Sequence, residues 1–185
     1  MLRKSGWSAP GLQSYSVHHI DAFIQVEGLP EGWRFTGFYS HPEVAKRRAT
    51  WNLLRQLSHH SSRAWICAGN YNEILLVHEK EGVIPQAQGQ IEEFRKCLED
   101  CEMQDMGFKG FPLTWWNRRE APHTVKARLD RACCNPKWAV LFPEACVLYE
   151  QTAASDHLLV WVDLEPSKES DKKKRKNSSD LKQHG

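Results

Sequence analysis

Long apolar runs are missing from this 185-residue chain. The longest, such as Leu158 to Val162, hold five residues, against the roughly 20 that a membrane-spanning helix needs; no membrane partner is expected. Met1 to Pro10 carries Arg3 and Lys4 but no apolar core, so a secretory leader is not expected and the reading is nucleus or cytoplasm, not secretion. With no leader, the six cysteines are expected to be reduced thiols. No CxxC pair occurs: Cys97 and Cys101 fall in a predicted helix, Cys133-Cys134 are adjacent, and so are His18-His19 and His59-His60. That pattern argues against zinc. Walker-type and Rossmann glycine patterns are also missing, which argues against P-loop and dinucleotide chemistry. An excess of one charge is missing too. The net +2 splits into 18 basic against 20 acidic residues through residue 165, and 7 against 3 beyond it. The body is therefore not a bulk polyanion binder, and any polyanion must be met by local groups.

What is present is 41% hydrophobic and 26% charged residues, with eight tryptophans to anchor a core. The first fifteen residues have no clear period and read as a loose segment. Residues 16–165 read as one domain, and 166–185 as a disordered basic tail. Strands are predicted at Ser16–Val26, Trp33–Tyr39, Ala64–Ala68, Phe111–Trp115, Ala127–Cys133, Ala145–Tyr149 and Leu158–Leu164. His41-Pro42-Glu43 opens a helix ending near the His59–Ser62 polar cluster, with Trp51, Leu53, Leu54 and Leu57 on its apolar face. A second helix covers about Gln88–Cys101, with Ile91, Phe94, Leu98 and Cys101 on one stripe. A short third covers Pro136–Leu141. Strands interleaved with helices predict a mixed α/β layer, with parallel pairing where a helix bridges two strands.

Four short motifs could carry chemistry. Gly69-Asn70-Tyr71-Asn72-Glu73 follows a wholly apolar strand, where open α/β sheets tend to bind ligands; it also reads as an ordinary turn. Ser155-Asp156-His157 puts an acid beside an imidazole that could bind a metal or move protons, or it is a capped loop. Arg128-Leu129-Asp130-Arg131 alternates in a strand, with Arg128 and Asp130 on one face. Asp130 could orient a histidine, or the run is a surface ion pair. In Leu113-Thr114-Trp115-Trp116-Asn117, Trp and Asn can meet a base or a phosphate, or one Trp is core and Asn117 starts a turn.

Taken in order, FYSHP, GNYNE, FPLTWWN, RLDRA and SDH resemble the endonuclease/exonuclease/phosphatase superfamily. The similarity is greatest to the endonuclease domain of plant LINE-type (non-LTR) retrotransposons, and it runs from about Ser16 to Leu164. It implies a four-layer α/β sandwich of the DNase I-like type and Mg²⁺-dependent phosphodiester hydrolysis, with DNA as partner. By resemblance, Tyr39 bonds the scissile phosphate. Asn72 positions water or phosphate, Asp130 holds the catalytic His157, and Asp156 belongs to the metal site. Thr114, Trp115 and Asn117 lie beside the substrate groove.

Two departures accompany the match. Asn70 stands where the family has Asp, and an amide neither takes a proton from water nor gives Mg²⁺ a negative ligand. Loss of one such base costs on the order of 10²–10⁴-fold in rate. The family's first asparagine and metal-binding glutamate have no counterpart before Tyr39. The expected fold is therefore partial, mainly the second mixed sheet with its helices, and its uncovered face invites a partner. Two functions follow: a phosphodiesterase of weakened or lost activity, or a non-catalytic remnant that binds nucleic acid or protein through the uncovered sheet and the tail. In the tail, Lys172 to Lys176 also reads as a nuclear-localisation or nucleic-acid segment.

Overall fold

The computed structural model describes residues 10–166, apart from 28, 30, 61, 153 and 154. Its elements are β1 (Gly11–Ser16), β2 (His19–Ile24), β3 (Trp33–Tyr39), α1 (Val44–His59), β4 (Trp65–Asn70), β5 (Lys80–Glu81), α2 (Gln88–Asp100), β6 (Gln104–Asp105), β7 (Trp115–Trp116), β8 (Lys126–Ala127), β9 (Asp130–Cys134), α3 (Pro136–Leu141), β10 (Cys146–Glu150) and β11 (Leu159–Asp163). The main sheet runs β1-β2-β3-β4-β9-β6. Only β3 and β4 pair in parallel, because α1 carries the chain back to the end where β3 began. A second sheet has the order β5-β8-β7, and β10-β11 form a ribbon.

Alternation sends successive side chains to opposite faces of the main sheet. On one face Phe38, Trp65, Cys67 and Cys133 pack with Trp51, Leu54 and Leu57 of α1 and Phe94, Cys97 and Leu98 of α2. On the other, Ala22, Trp33, Ile66, Ala132 and Cys134 pack with Trp138 of α3 and Val147 of β10. Asn135 caps α3 by accepting from the Trp138 amide, and Pro136 fits its first turn. α1 has no such side-chain cap. Its place is held by the buried stripe Trp51, Leu54 and Leu57.

Several sequence expectations are corrected. Residues 11–16 are not loose: they form β1, hydrogen-bonded to β2 with Tyr15 opposite Ile20. Val17 and His18 make the turn between them, so Ser16–Val26 is not a single strand. Phe111–Trp115 contributes only its last residue to a strand. The run predicted at Ala127–Cys133 breaks at Arg128 and Leu129, because the chain there changes sheets: β8 pairs with β5 and β7, β9 with β4 and β6. The face expected to lack a partner is partly covered, since α3, β10 and β11 lie over its β4–β9 half. Its β1–β2 end still exposes Leu12, Tyr15 and Ile20. The tail segment Lys172 to Lys176 lies outside the described residues.

Candidate functional site

Strand register assembles the site. Tyr39 at the end of β3 lies beside Asn70 at the end of β4, and Asn70 lies beside Asp130 at the start of β9. Paired residues point to the same face, so three of the five motifs meet in one row. Gly69 makes the close approach possible: its φ is +147°, and a Cβ there would run into the Phe38 carbonyl. The row forms one wall of a cleft of about 800 Å³, also lined by Asn72, Trp115, Asp156 and His157.

Asp130 is 5% exposed, and its Oδ2 lies 2.8 Å from His157 Nδ1. The Thr114 hydroxyl donates to the same oxygen at 2.7 Å and accepts from the Leu129 and Asp130 amides at 2.9 Å each. With Nδ1 donating to the carboxylate, Nε2 is the ring nitrogen left for a ligand. Burial works against charge on His157, but the Asp130 hydrogen bond and charge, helped by Asp156, outweigh it and raise its pKa above the ordinary 6.5. The imidazolium is thereby favoured as a donor to a phosphate oxygen. An isolated bridge between Trp115 and His157 pins the histidine's segment against β7, as does the Leu158 amide on the Thr114 carbonyl at 2.8 Å.

The Asn70 end of the row is amide-rich. Asn70 Oδ1 accepts from the Asn72 amide at 2.7 Å. Asn72 adopts a positive φ of 53°, and its Nδ2 donates to the Ser40 carbonyl at 2.7 Å. A second Nδ2 hydrogen is left for a ligand, since the amide carries two. Tyr39 is 45% exposed at the cleft edge.

Two expected substrate contacts have other work. Thr114 is 1% exposed and positions Asp130. Asn117 donates to the His123 carbonyl and accepts from the Arg119 and Val125 amides, closing the loop between β7 and β8. Trp115 lines the cleft, and its Nε1 donates to Asp156 Oδ2 at 2.9 Å. That bond is the leading cause of the lowered Asp156 pKa. The Arg128–Arg131 run is a buried network, not a surface ion pair. Both guanidiniums meet Glu79 and Asp105.

Sequence reading missed Arg47 and Gln86, which line the same cleft, and assigned Glu73 no role. Glu73 accepts from Arg47 at 2.7 Å and from Gln86 at 2.8 and 3.0 Å. Its motif carried the only hint; Arg47 sits among several exposed cations of α1 with nothing to single it out.

The donor set does not fit a resident Mg²⁺. Asp130 is held by His157 and Thr114, Glu73 by Arg47 and Gln86, and one Asp156 oxygen by Trp115. Two carboxylate oxygens have no such partner, Asp130 Oδ1 on a carboxylate only 5% exposed and the second oxygen of Asp156, and Mg²⁺ sites use carboxylates together with substrate phosphates and water. No group of three or more His, Cys, Asp or Glu placed to hold a metal occurs among the described residues. No described helix is long and apolar enough to cross a membrane.

No family model and no curated protein matches the sequence. Solved structures do match the fold. The endonuclease domain of TRAS1, a telomere-specific non-LTR retrotransposon, aligns over 86% of this chain and 70% of its own, with a TM-score of 0.61 at 11% identity. The chain has the endonuclease/exonuclease/phosphatase fold. A protein named for that family from Leptotrichia buccalis aligns over 78% of this chain and 53% of its own, with a TM-score of 0.50 at 15% identity. Beta toxin from Staphylococcus aureus aligns over 80% and 54%, with a TM-score of 0.50 at 10% identity. This chain thus spans about half the length of the last two.

Proposed function

We propose that this chain is a retrotransposon-type endonuclease domain that binds a DNA phosphodiester in the cleft and hydrolyses it at a strongly reduced rate. The observation that carries the reading is the row Tyr39–Asn70–Asp130 with His157 bonded to Asp130. It holds phosphate donors in place but has an amide where the resembled family has a carboxylate. In this reading His157, favoured as the imidazolium, and the second Nδ2 hydrogen of Asn72 donate to phosphate oxygens without adding repulsive charge. Tyr39 donates from the cleft edge. Asp130 holds the His157 ring through Nδ1. Asn70 cannot accept a proton from an attacking water. The basic tail is read as an accessory nucleic-acid contact.

Two measurements on the full chain test this: binding of a labelled DNA duplex, and nicking of supercoiled plasmid in Mg²⁺. Binding that weakens on His157→Ala, with nicking slow or undetectable, is the expected result. Rapid nicking abolished by His157→Ala would make the chain a competent enzyme and overturn the reading. No DNA binding would overturn it from the other side.

A further inference from the structure

A second polar group sits just outside the cleft, beyond Tyr39. His18, in the turn between β1 and β2, lies with its ring 6.4 Å from the Tyr39 ring and nearly parallel to it, 12° between planes. The His41 ring is 5.8 Å from the His18 ring. The bonds these rings make fix their tautomers. His18 Nδ1 is 2.9 Å from the Tyr39 carbonyl, and a carbonyl only accepts, so Nδ1 carries the hydrogen and Nε2 is open. His41 Nδ1 accepts from the Glu43 amide at 3.0 Å, so in the neutral ring Nε2 carries the hydrogen. The backbone thus holds two adjacent imidazoles by one nitrogen each. Neither Nε2 has a hydrogen-bond partner among the described residues.

We infer that His18 and His41 form a second phosphate subsite on the DNA backbone beyond Tyr39, His41 donating from the Nε2 hydrogen of its neutral ring and His18 from Nε2 once that nitrogen is protonated. The inference rests on the DNA-binding reading above. A strand crossing from Trp115 and His157 over Asn70 to Tyr39 leaves the cleft toward the β1–β2 turn, because β2 is the next strand after β3. The charged groups around the pair are engaged. Glu43 pairs with Lys46 at 2.8 Å. Arg47 pairs with Glu73 at 2.7 Å and donates to the His41 and Pro42 carbonyls. On β2, His19 is bonded to Ser14 and Ser16, and burial lowers its pKa. Histidine is the side chain that gains charge between about pH 8 and about pH 5.5.

The test is the salt dependence of duplex binding at those two pH values. Each neutralised phosphate adds about 0.9 to the slope of log K against log salt. Only His18 can gain a charge and keep its backbone bond, so the wild-type slope is expected to steepen on acidification by about 0.9 more than that of His18→Asn/His41→Asn. In that variant an amide keeps each backbone bond without titrating, and any contribution of His157 is common to both proteins. His18→Lys/His41→Lys is expected to be steep at both pH values, so the outcome does not depend on one variant folding. Equal steepening in wild type and the asparagine variant, or a lysine variant no steeper than wild type at about pH 8, overturns this inference alone. No DNA binding by wild type at either pH overturns the functional reading as well.

Discussion

Asp130 and Arg131 are neighbours on β9, both buried and charged, yet they serve opposite ends. Arg131 faces the helices and joins Arg128, Glu79 and Asp105 in a closed set of two cations and two anions. Burial opposes charge on both acids, but the guanidiniums outweigh it and hold Glu79 and Asp105 below the ordinary carboxylate range. Asp130 faces the cleft in an open set: its carboxylate holds His157, whose second nitrogen has yet to be engaged. Burial of charge alone therefore does not mark the site. An unfilled valence at the end of a buried chain of bonds does.

Breaking the closed set should damage the fold most. Arg131→Ala leaves Glu79 and Asp105 to share the single cation Arg128, and losing one partner of a buried pair costs about 3–5 kcal/mol. At about 2–4 °C per kcal/mol for a chain of this size, the melting temperature should fall by roughly 6 to 20 °C. The same acids should make the fold acid-labile. Their pKa values are depressed, so their contribution is present above the unfolded values and lost as pH falls through the folded ones. A pH-dependent melt should lose the Glu79 share of that acid sensitivity in Glu79→Gln and keep the Asp105 share.

Thr114→Val tests the joint between the two sets. It leaves the Leu129 and Asp130 amides without their acceptor, at about 1–3 kcal/mol, read by denaturant unfolding. Asp130→Asn should change stability less and the pH profile of DNA binding more. The His157 pKa is raised, so its charged form, and the binding it supports, is present at pH 6.5 and lost as pH rises through the folded pKa. Removing the carboxylate leaves burial as the main influence, and the loss should move to lower pH. An unchanged profile would show that His157 is not the titrating group.

What was legible in the sequence was local. Pro136 and Asn135 mark the start of α3 by themselves, and the apolar run at 64–68 marks β4. The five motifs named Tyr39, Asn72, Asp130 and His157, and the fold brings these four to one cleft because it joins ends of strands that are short and regular. What was not legible depends on distant partners. Arg128 and Arg131 read as lying on opposite faces of one strand until the break at Arg128–Leu129 turns both toward Glu79 and Asp105. β1 was hidden because Gly11, Ser14 and Ser16 lack strand character, and the edge is held only by pairing to β2. Thr114 and Asn117 looked like surface contacts because nothing local reveals that each bonds a backbone folded back onto it.

In the proposed function one group limits the chemistry, the amide of Asn70 where an acid would serve. Nicking of supercoiled plasmid in Mg²⁺ by wild type and Asn70→Asp, side by side, tests it most directly. Asn70→Asp is expected to nick on the order of 10²-fold faster or more, and to bind Mn²⁺ measurably where wild type does not. Equal nicking by the two proteins, fast or absent, would contradict the claim that this amide limits the chemistry.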